Sequence, residues 1–388
     1  MQPRFAPLAV ALLLAAVTVG LPIPGLRLII VDEFGQGGLA AGAYAGLHVA
    51  GTILGSWLWG LWLHRRRGDL ALRPMLRLAL AGSGLLLITM GFAQSLVLLL
   101  VLRFLDGVVH VGIVMLLMGS GAHGGIDERA RRMGWLGSIM VLGVGAGLAL
   151  GGQVATYHPR AVFFVAALCI GVAGQLIANA IPQLLSTTPE SSAMSPSDPP
   201  SLGGAVIGPM ALVGVERLAM GVLTVALPFG IETQRTGFIG AVLGSFMTAS
   251  VIAMPLTHLA HRRFGATATC HASALGLALS LMLVSHPLVL SGPVGYLWAA
   301  LSGFCAGALF MSGLLMISLR ADLRVRMRAL GLVHAAGAVG HAIGSFGAGF
   351  ALMDGSLSAP RVASIFGSAA IMLGWVGFAL VRERARSV

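Results

Sequence analysis

The chain has 388 residues, 57% of them hydrophobic and 10% charged, with a mean hydropathy of +0.93 and a net charge of +11. A soluble chain carries about 25% charged residues, so these figures exclude a water-soluble globular protein. All 24 basic residues are arginine, and most of them flank alternate connections between apolar runs, so the charge records orientation in a membrane rather than a nucleic-acid partner.

Twelve apolar spans are predicted, each long enough to cross ~30 Å of hydrocarbon. They lie at about 5–31, 38–63, 74–93, 95–118, 133–156, 160–182, 204–230, 236–260, 266–285, 290–319, 327–352 and 360–382. The first is too long for a signal-peptide core and lacks a convincing cleavage site, so it is expected to stay as a span. Pro22 and Pro24 are expected to distort its outer half, and Pro228 to do the same in span seven. Asp32 and Glu33 close span one as an interfacial acidic pair, expected to be a solvated helix end or an attractor of cations.

Span two carries His48, read as a packing histidine, and runs into Gly60 and the basic loop His64-Arg65-Arg66-Arg67-Gly68. In span four, Arg103, Asp106, Gly107 and His110 stand at i, i+3, i+4 and i+7, on one helix face. Span five holds Gly143, Gly147, Gly151 and Gly152, and glycines at such spacing let helices approach closely. Gln183–Leu202 is rich in Ser and Pro and reads as a flexible linker. Span seven places Glu216 and Arg217 near its middle; as neighbours they point about 100° apart and cannot both face one partner.

Span eight closes on His261-Arg262-Arg263-Phe264-Gly265, and span eleven carries His334, Gly340, His341 and Gly344. The membrane histidines are read as packing residues, and no two stand at metal-ligand spacing with a carboxylate nearby, so no metal site is expected. Cys169, Cys270 and Cys305 lie in apolar runs at no disulfide or metal spacing and read as small packing residues.

The chain repeats itself at an offset of 197: His64 maps to His261, Arg65 to Arg262, Arg66 to Arg263, Arg129 to Arg326, Arg131 to Arg328, Gly143 to Gly340 and Gly147 to Gly344. Near the end the offset grows to 201, from Pro159-Arg160 to Pro360-Arg361, as an insertion around Met353–Ser356 would produce. One repeat across a greasy chain marks two like-oriented halves. The expected fold is therefore an all-α membrane protein, with twelve transmembrane helices in two pseudo-symmetric six-helix bundles. The boundaries are 1–182 for the first bundle, 183–203 for a cytoplasmic linker and 204–388 for the second. Of the 24 arginines, 18 flank alternate connections and the termini, while Arg27, Arg160, Arg235 and Arg361 flank the others. This is the positive-inside bias, and it predicts both termini and the linker in the cytoplasm of a bacterial inner membrane.

Twelve spans, two halves and a polar linker resemble the major facilitator superfamily across essentially the whole chain. The family's loop between spans two and three reads Gly-x-x-x-Asp-Arg-x-Gly-Arg-Arg. Here Gly60 and Arg65 keep the pattern, His64 replaces the aspartate, and the second half makes the same exchange at His261. The resemblance implies a cytoplasmic gate motif at Gly60, His64, Arg65, Arg66, His261, Arg262 and Arg263, with the lock's charge network altered. Arg103 and Gly107 match an Arg-x-x-x-Gly pattern in span four. Gly143, Gly147, Gly151 and Gly152 match the span-five frame of the drug/proton antiporter branch, with Leu148 in place of its proline. Spans one, four, seven and ten line the cavity in that family, so Arg103, Asp106, His110, Glu216 and Arg217 are expected at a substrate and proton site.

Four such charges facing lipid would cost on the order of 10–14 kcal/mol, comparable to a domain's whole stability. They are expected to face one another or a watery cavity. One reading makes Arg103 and Asp106 a packing ion pair. The other makes Asp106 or Glu216 the proton carrier, tuned by arginine.

The expected activity is secondary transport by rocking of the two bundles: proton-coupled efflux of a small apolar or amphipathic compound. The alternatives are proton-coupled uptake of an anionic metabolite, and a non-transporting sensor or assembly factor. No enzyme activity and no cofactor are expected, since a lysine-bearing phosphate loop is absent. The expected partners are the lipid bilayer, a small-molecule substrate and protons, with the chain acting as a monomer and without nucleic acid.

Overall fold

The computed structural model describes residues 5–65, 69–121, 126–184, 204–230, 235–290, 292–320, 323–353 and 358–384. The Ser- and Pro-rich linker from 185 onward, Arg66 and Arg67, and Asp354–Ser356 lie outside the described residues, as do the side chains of His64 and Arg65.

Among the described residues twelve long helices follow in order: α1 Phe5–Gly20, α2 Gly38–Arg65, α3 Asp69–Gly91, α4 Leu96–Gly121, α5 Ile126–Tyr157 and α6 Ala161–Leu184. The second set is α7 Gly204–Gly230, α8 Thr236–Phe264, α9 Ala266–Leu283, α10 Pro293–Arg320, α11 Leu323–Ala351 and α12 Ala359–Arg384. Ten of them are long and apolar enough to cross a membrane. The exceptions are α1, with 16 residues, and α11, whose apolar run is diluted by His334, His341 and glycines.

The break in α1 comes where proline dictates it. Pro22 and Pro24 offer no backbone N–H, and each disfavours helix in the residue before it. The helix therefore stops at Gly20, turns through Leu21–Gly25, and resumes at Leu26, becoming π-helical over Leu28–Glu33. Bonds such as Leu26 N to Ile23 O, 3.1 Å, keep this turn's backbone satisfied. Span one is thus two pieces rather than one helix. Pro228 behaves otherwise: it lies within α7, which continues to Gly230.

The chain divides into two compact units. The first comprises residues 1–35, 47–192 and 232–244, and the second 36–46, 193–231 and 245–388. In the first, α1 packs on α4, α5 and α6, and α3 on α4 and α6. In the second, α7 packs on α10, α11 and α12, and α9 on α10 and α12. The two pairing schemes are the same scheme shifted by six helices, which is the repeat of the sequence expressed as packing.

Glycine sets the spacing of the central pairs. A Cβ on Gly147 would fall on the carbonyl oxygen of Val17, and one on Gly151 on that of Leu21, so α5 lies directly against the backbone of α1. Gly143 meets Leu13 O at 2.6 Å in the same way. In the second unit Gly340 abuts Gly214 O and Gly344 abuts Leu218 O. Gly152 faces Gly240 inside the first unit, its Cβ position 2.8 Å from that Cα. Small residues allow such contact, and dispersion between closely packed backbones holds the helices together in lipid.

Candidate functional site

In the first unit the polar face of α4 meets two neighbouring helices. Asp106 Oδ2 accepts from Arg103 Nη1 at 3.1 Å, the i,i+3 contact that helical spacing predicts. Asp106 Oδ1 accepts from the Ser83 hydroxyl of α3 at 3.0 Å. His48 of α2 places Nδ1 at 3.3 Å from Asp106 Oδ2, and its ring centroid lies 6.1 Å from that of His110. All five side chains are buried, Arg103 to 1% exposure. A guanidinium and a carboxylate so deep remain tolerable because each is the other's counter-charge and the hydroxyl adds a further donor.

His48 reaches this cluster because Gly107 has no side chain. A Cβ on Gly107 would land on the His48 carbonyl oxygen, one on Gly51 on Phe104 O, and one on Gly55 2.5 Å from Val108 O. The indole of Trp59 then donates to Val108 O at 2.9 Å, which fastens α2 to α4 one turn further on. The glycines set the helix distance, and that distance brings the imidazole to the carboxylate.

In the second unit Glu216 is 2% exposed near the middle of α7. The long, flexible stem of Arg217 brings Nε to 3.3 Å from Glu216 Oε2, so the two neighbours pair with each other. The guanidinium of Arg217 lies 4.5 Å above the Phe310 ring of α10, a stacking worth about 0.5–2 kcal/mol. It retains 28% of its side-chain exposure.

The two units differ at these positions. At the offset of 197, Ala300, Gly303, Gly307 and Ser245 stand where the first unit has Arg103, Asp106, His110 and His48. Val19 and Gly20 stand where the second has Glu216 and Arg217. Gly303 and Gly307 serve packing alone: Cβ atoms there would strike Phe246 O and Ser250 O.

The gate-motif residues diverge in environment. His261 Nε2 pairs with the Ser312 hydroxyl at 2.9 Å, and that hydroxyl donates to Ala308 O at 2.7 Å. The imidazole is thus the donor, with its proton on Nε2, and it ties α8 to α10. Arg262 and Arg263 lie in the last turn of α8, where positive charge complements the helix dipole. Gly60 has open space around it.

Two members of the cluster are not legible from spacing along one helix: His48, which the sequence reads as a packing residue, and Ser83, since the two reach Asp106 from other helices. Glu33 is not simply solvated: Arg160 Nε meets its Oε2 at 2.6 Å from 127 positions further along the chain, and the guanidinium stands 5.7 Å from the Phe34 ring. Cys169, Cys270 and Cys305 form no disulfide among the described residues. Among the described residues no group of three His, Cys, Asp or Glu is arranged to hold a metal ion.

A sequence model described as Major Facilitator Superfamily matches residues 8–208, more than half of the chain. The tetracycline resistance protein, class B, of Escherichia coli is 28% identical over 156 residues, covering 40% of this chain. That match spans only 38% of the relative's own length. Among solved structures, the nucleoside transporter NupG superposes with a TM-score of 0.70 at 11% identity, covering 98% of this chain and 99% of that one. The human organic anion transporter MFSD10 (TETRAN) gives 0.64 at 17% identity, over 97% and 100% of the two chains. Identities this low establish a common fold and nothing about cargo.

Proposed function

This chain belongs to the Major Facilitator Superfamily, a family of secondary transporters rather than enzymes, and we propose that it is a proton-coupled exporter of a small apolar or amphipathic compound. The protein acts as a monomer in a bacterial inner membrane, with both termini in the cytoplasm. The arginine bias between alternate connections supports that orientation.

The observation that carries the coupling is Glu216. Asp106 and Glu216 are the acidic side chains that lie away from helix ends among the described residues. Asp106 accepts from two donors, whereas Glu216 has one contact at 3.3 Å, and its Oε2 accepts no hydrogen bond. A buried carboxylate so thinly compensated has a ready way to shed its charge, which is to bind a proton. Loading and release of that proton in step with cargo is what couples a gradient to transport. The partial likeness to a tetracycline resistance protein supports export over uptake.

A second reading rests on Arg217, whose stacked, partly exposed guanidinium suits a planar anion and would favour uptake of an organic acid. Inverted vesicles containing the protein separate the two. Under an imposed proton gradient, accumulation of tetracycline or of a hydrophobic cation such as tetraphenylphosphonium supports export. Uptake of an organic acid by right-side-out vesicles, with neither probe moved in inverted ones, replaces it with the second reading.

A further inference from the structure

We propose that the first unit binds its coupling proton on the imidazole pair His48 and His110, while Asp106 stays a permanent anion that positions them. This rests on the proton-coupled reading above, and it moves the first unit's proton from the carboxylate to two side chains on different helices.

The donor count at Asp106 is the first argument. Oδ1 is occupied by the Ser83 hydroxyl and Oδ2 by Arg103 Nη1. Protonating this carboxylate would remove the negative charge that offsets Arg103 and leave a guanidinium without its counter-charge in a buried site. The imidazoles are in the opposite condition. His48 Nδ1 and His110 Nε2 are buried and make no hydrogen bond among the described residues. A proton added at His48 Nδ1 sets a positive charge 3.3 Å from Asp106 Oδ2 and makes that approach an ion pair. Proton acceptance there adds an ion pair; at Asp106 it removes one.

The charge balance points the same way. Arg103 and Asp106 cancel, so with neutral imidazoles the cluster carries no net charge, and one bound proton makes it +1. The charged groups acting on the pair are Arg103 and Asp106, together with each imidazole on the other. Of the helices packed on α4, α1 carries no titratable side chain. In α2 the basic residues other than His48 are His64 and Arg65 at its C-terminal end, and in α3 and α5 the charged residues lie near the N-terminal ends, between Asp69 and Arg77 and between Asp127 and Arg132. No other mid-helix charge from these neighbours offsets the added proton, so the protonated cluster must open to water, whereas the unprotonated one can be enclosed. That difference is what couples protonation to access.

The test is NMR on the full-length protein in lipid nanodiscs, labelled with 15N-histidine and with 13C at the aspartate carboxyl. Signals are assigned by their loss in His48→Gln, His110→Gln and Asp106→Asn. Between about pH 8 and pH 4, an imidazole of the pair should pass from the neutral to the doubly protonated nitrogen pattern while the Asp106 carboxyl keeps its carboxylate shift. A move of the Asp106 signal to the carboxylic-acid position, or unchanged imidazoles across that range, overturns the assignment. Flux measurements keep the two readings apart. If the imidazoles titrate but no gradient drives tetracycline or tetraphenylphosphonium, the export reading fails and the proton site stands. If proton-driven flux survives in the His48→Gln/His110→Gln double variant, the proton site fails and export stands.

Discussion

Gly107 lies so close to His48 that a Cβ on the glycine would coincide with the histidine's carbonyl oxygen. This contact between α4 and α2 places the imidazole of His48 beside Asp106, so a glycine with no chemistry of its own determines the geometry of the charged cluster.

Gly107→Ala should therefore separate the two helices and cost about 1–3 kcal/mol, as overpacking does. Gly82→Ala is the control, because its Cβ would meet Val109 Cγ1 at 3.5 Å, an ordinary contact. Thermal unfolding in detergent should show a clear drop for Gly107→Ala and little change for Gly82→Ala. Equal drops would remove Gly107 from its spacing role.

Arg103→Met should destabilise the protein by about 3–5 kcal/mol, since it leaves the Asp106 charge buried without its main partner. Adding Asp106→Asn to that variant removes the stranded charge and should recover much of the loss. A double-mutant cycle on unfolding midpoints measures the coupling. Strictly additive effects would mean that the 3.1 Å contact contributes nothing.

The line between what the sequence disclosed and what it withheld follows helix geometry. Arg103, Asp106 and His110 were visible because one helix brings positions three, four and seven apart onto one face. His48 and Ser83 were not, because proximity across helices leaves no spacing in the chain; a buried histidine opposite a glycine was the one available hint. The break after Gly20 was legible from Pro22 and Pro24, yet Pro228 leaves α7 helical, so a proline near a helix end carries no fixed outcome. The repeat at 197 carries the packing glycines of α5 over to α11, and α7 packs on α11 as α1 packs on α5, though the spacing alone named no partner helix. It also marked Glu216 and Arg103 as positions without counterparts, though not the pairing of Arg217 with Glu216, which depends on side-chain length.

Ser312→Ala should free His261 from its 2.9 Å partner and loosen α8 against α10. The cost is about 1 kcal/mol, too small for unfolding to resolve well. Hydrogen exchange is the better measure: amides in the last turns of α8 should exchange faster in the variant. Unchanged protection there would mean the contact does not restrain the helix end.

The Glu33–Arg160 pair sits at a half-exposed surface, where an ion pair is worth ~0–1 kcal/mol and is screened by salt. Glu33→Gln should leave global stability nearly untouched and raise exchange over Leu28–Phe34, with the wild-type protein approaching the variant in high salt. A large global destabilisation would show that the pair does more than hold this turn.

Glu216→Gln tests the central claim most directly. Proton movement and cargo movement are recorded together in inverted vesicles, with tetracycline and tetraphenylphosphonium as probes and the wild-type protein showing gradient-driven flux of at least one. The account predicts that the variant folds, still binds the transported probe, and loses gradient-driven accumulation together with probe-induced proton release. Coupled flux at the wild-type level in Glu216→Gln would contradict it.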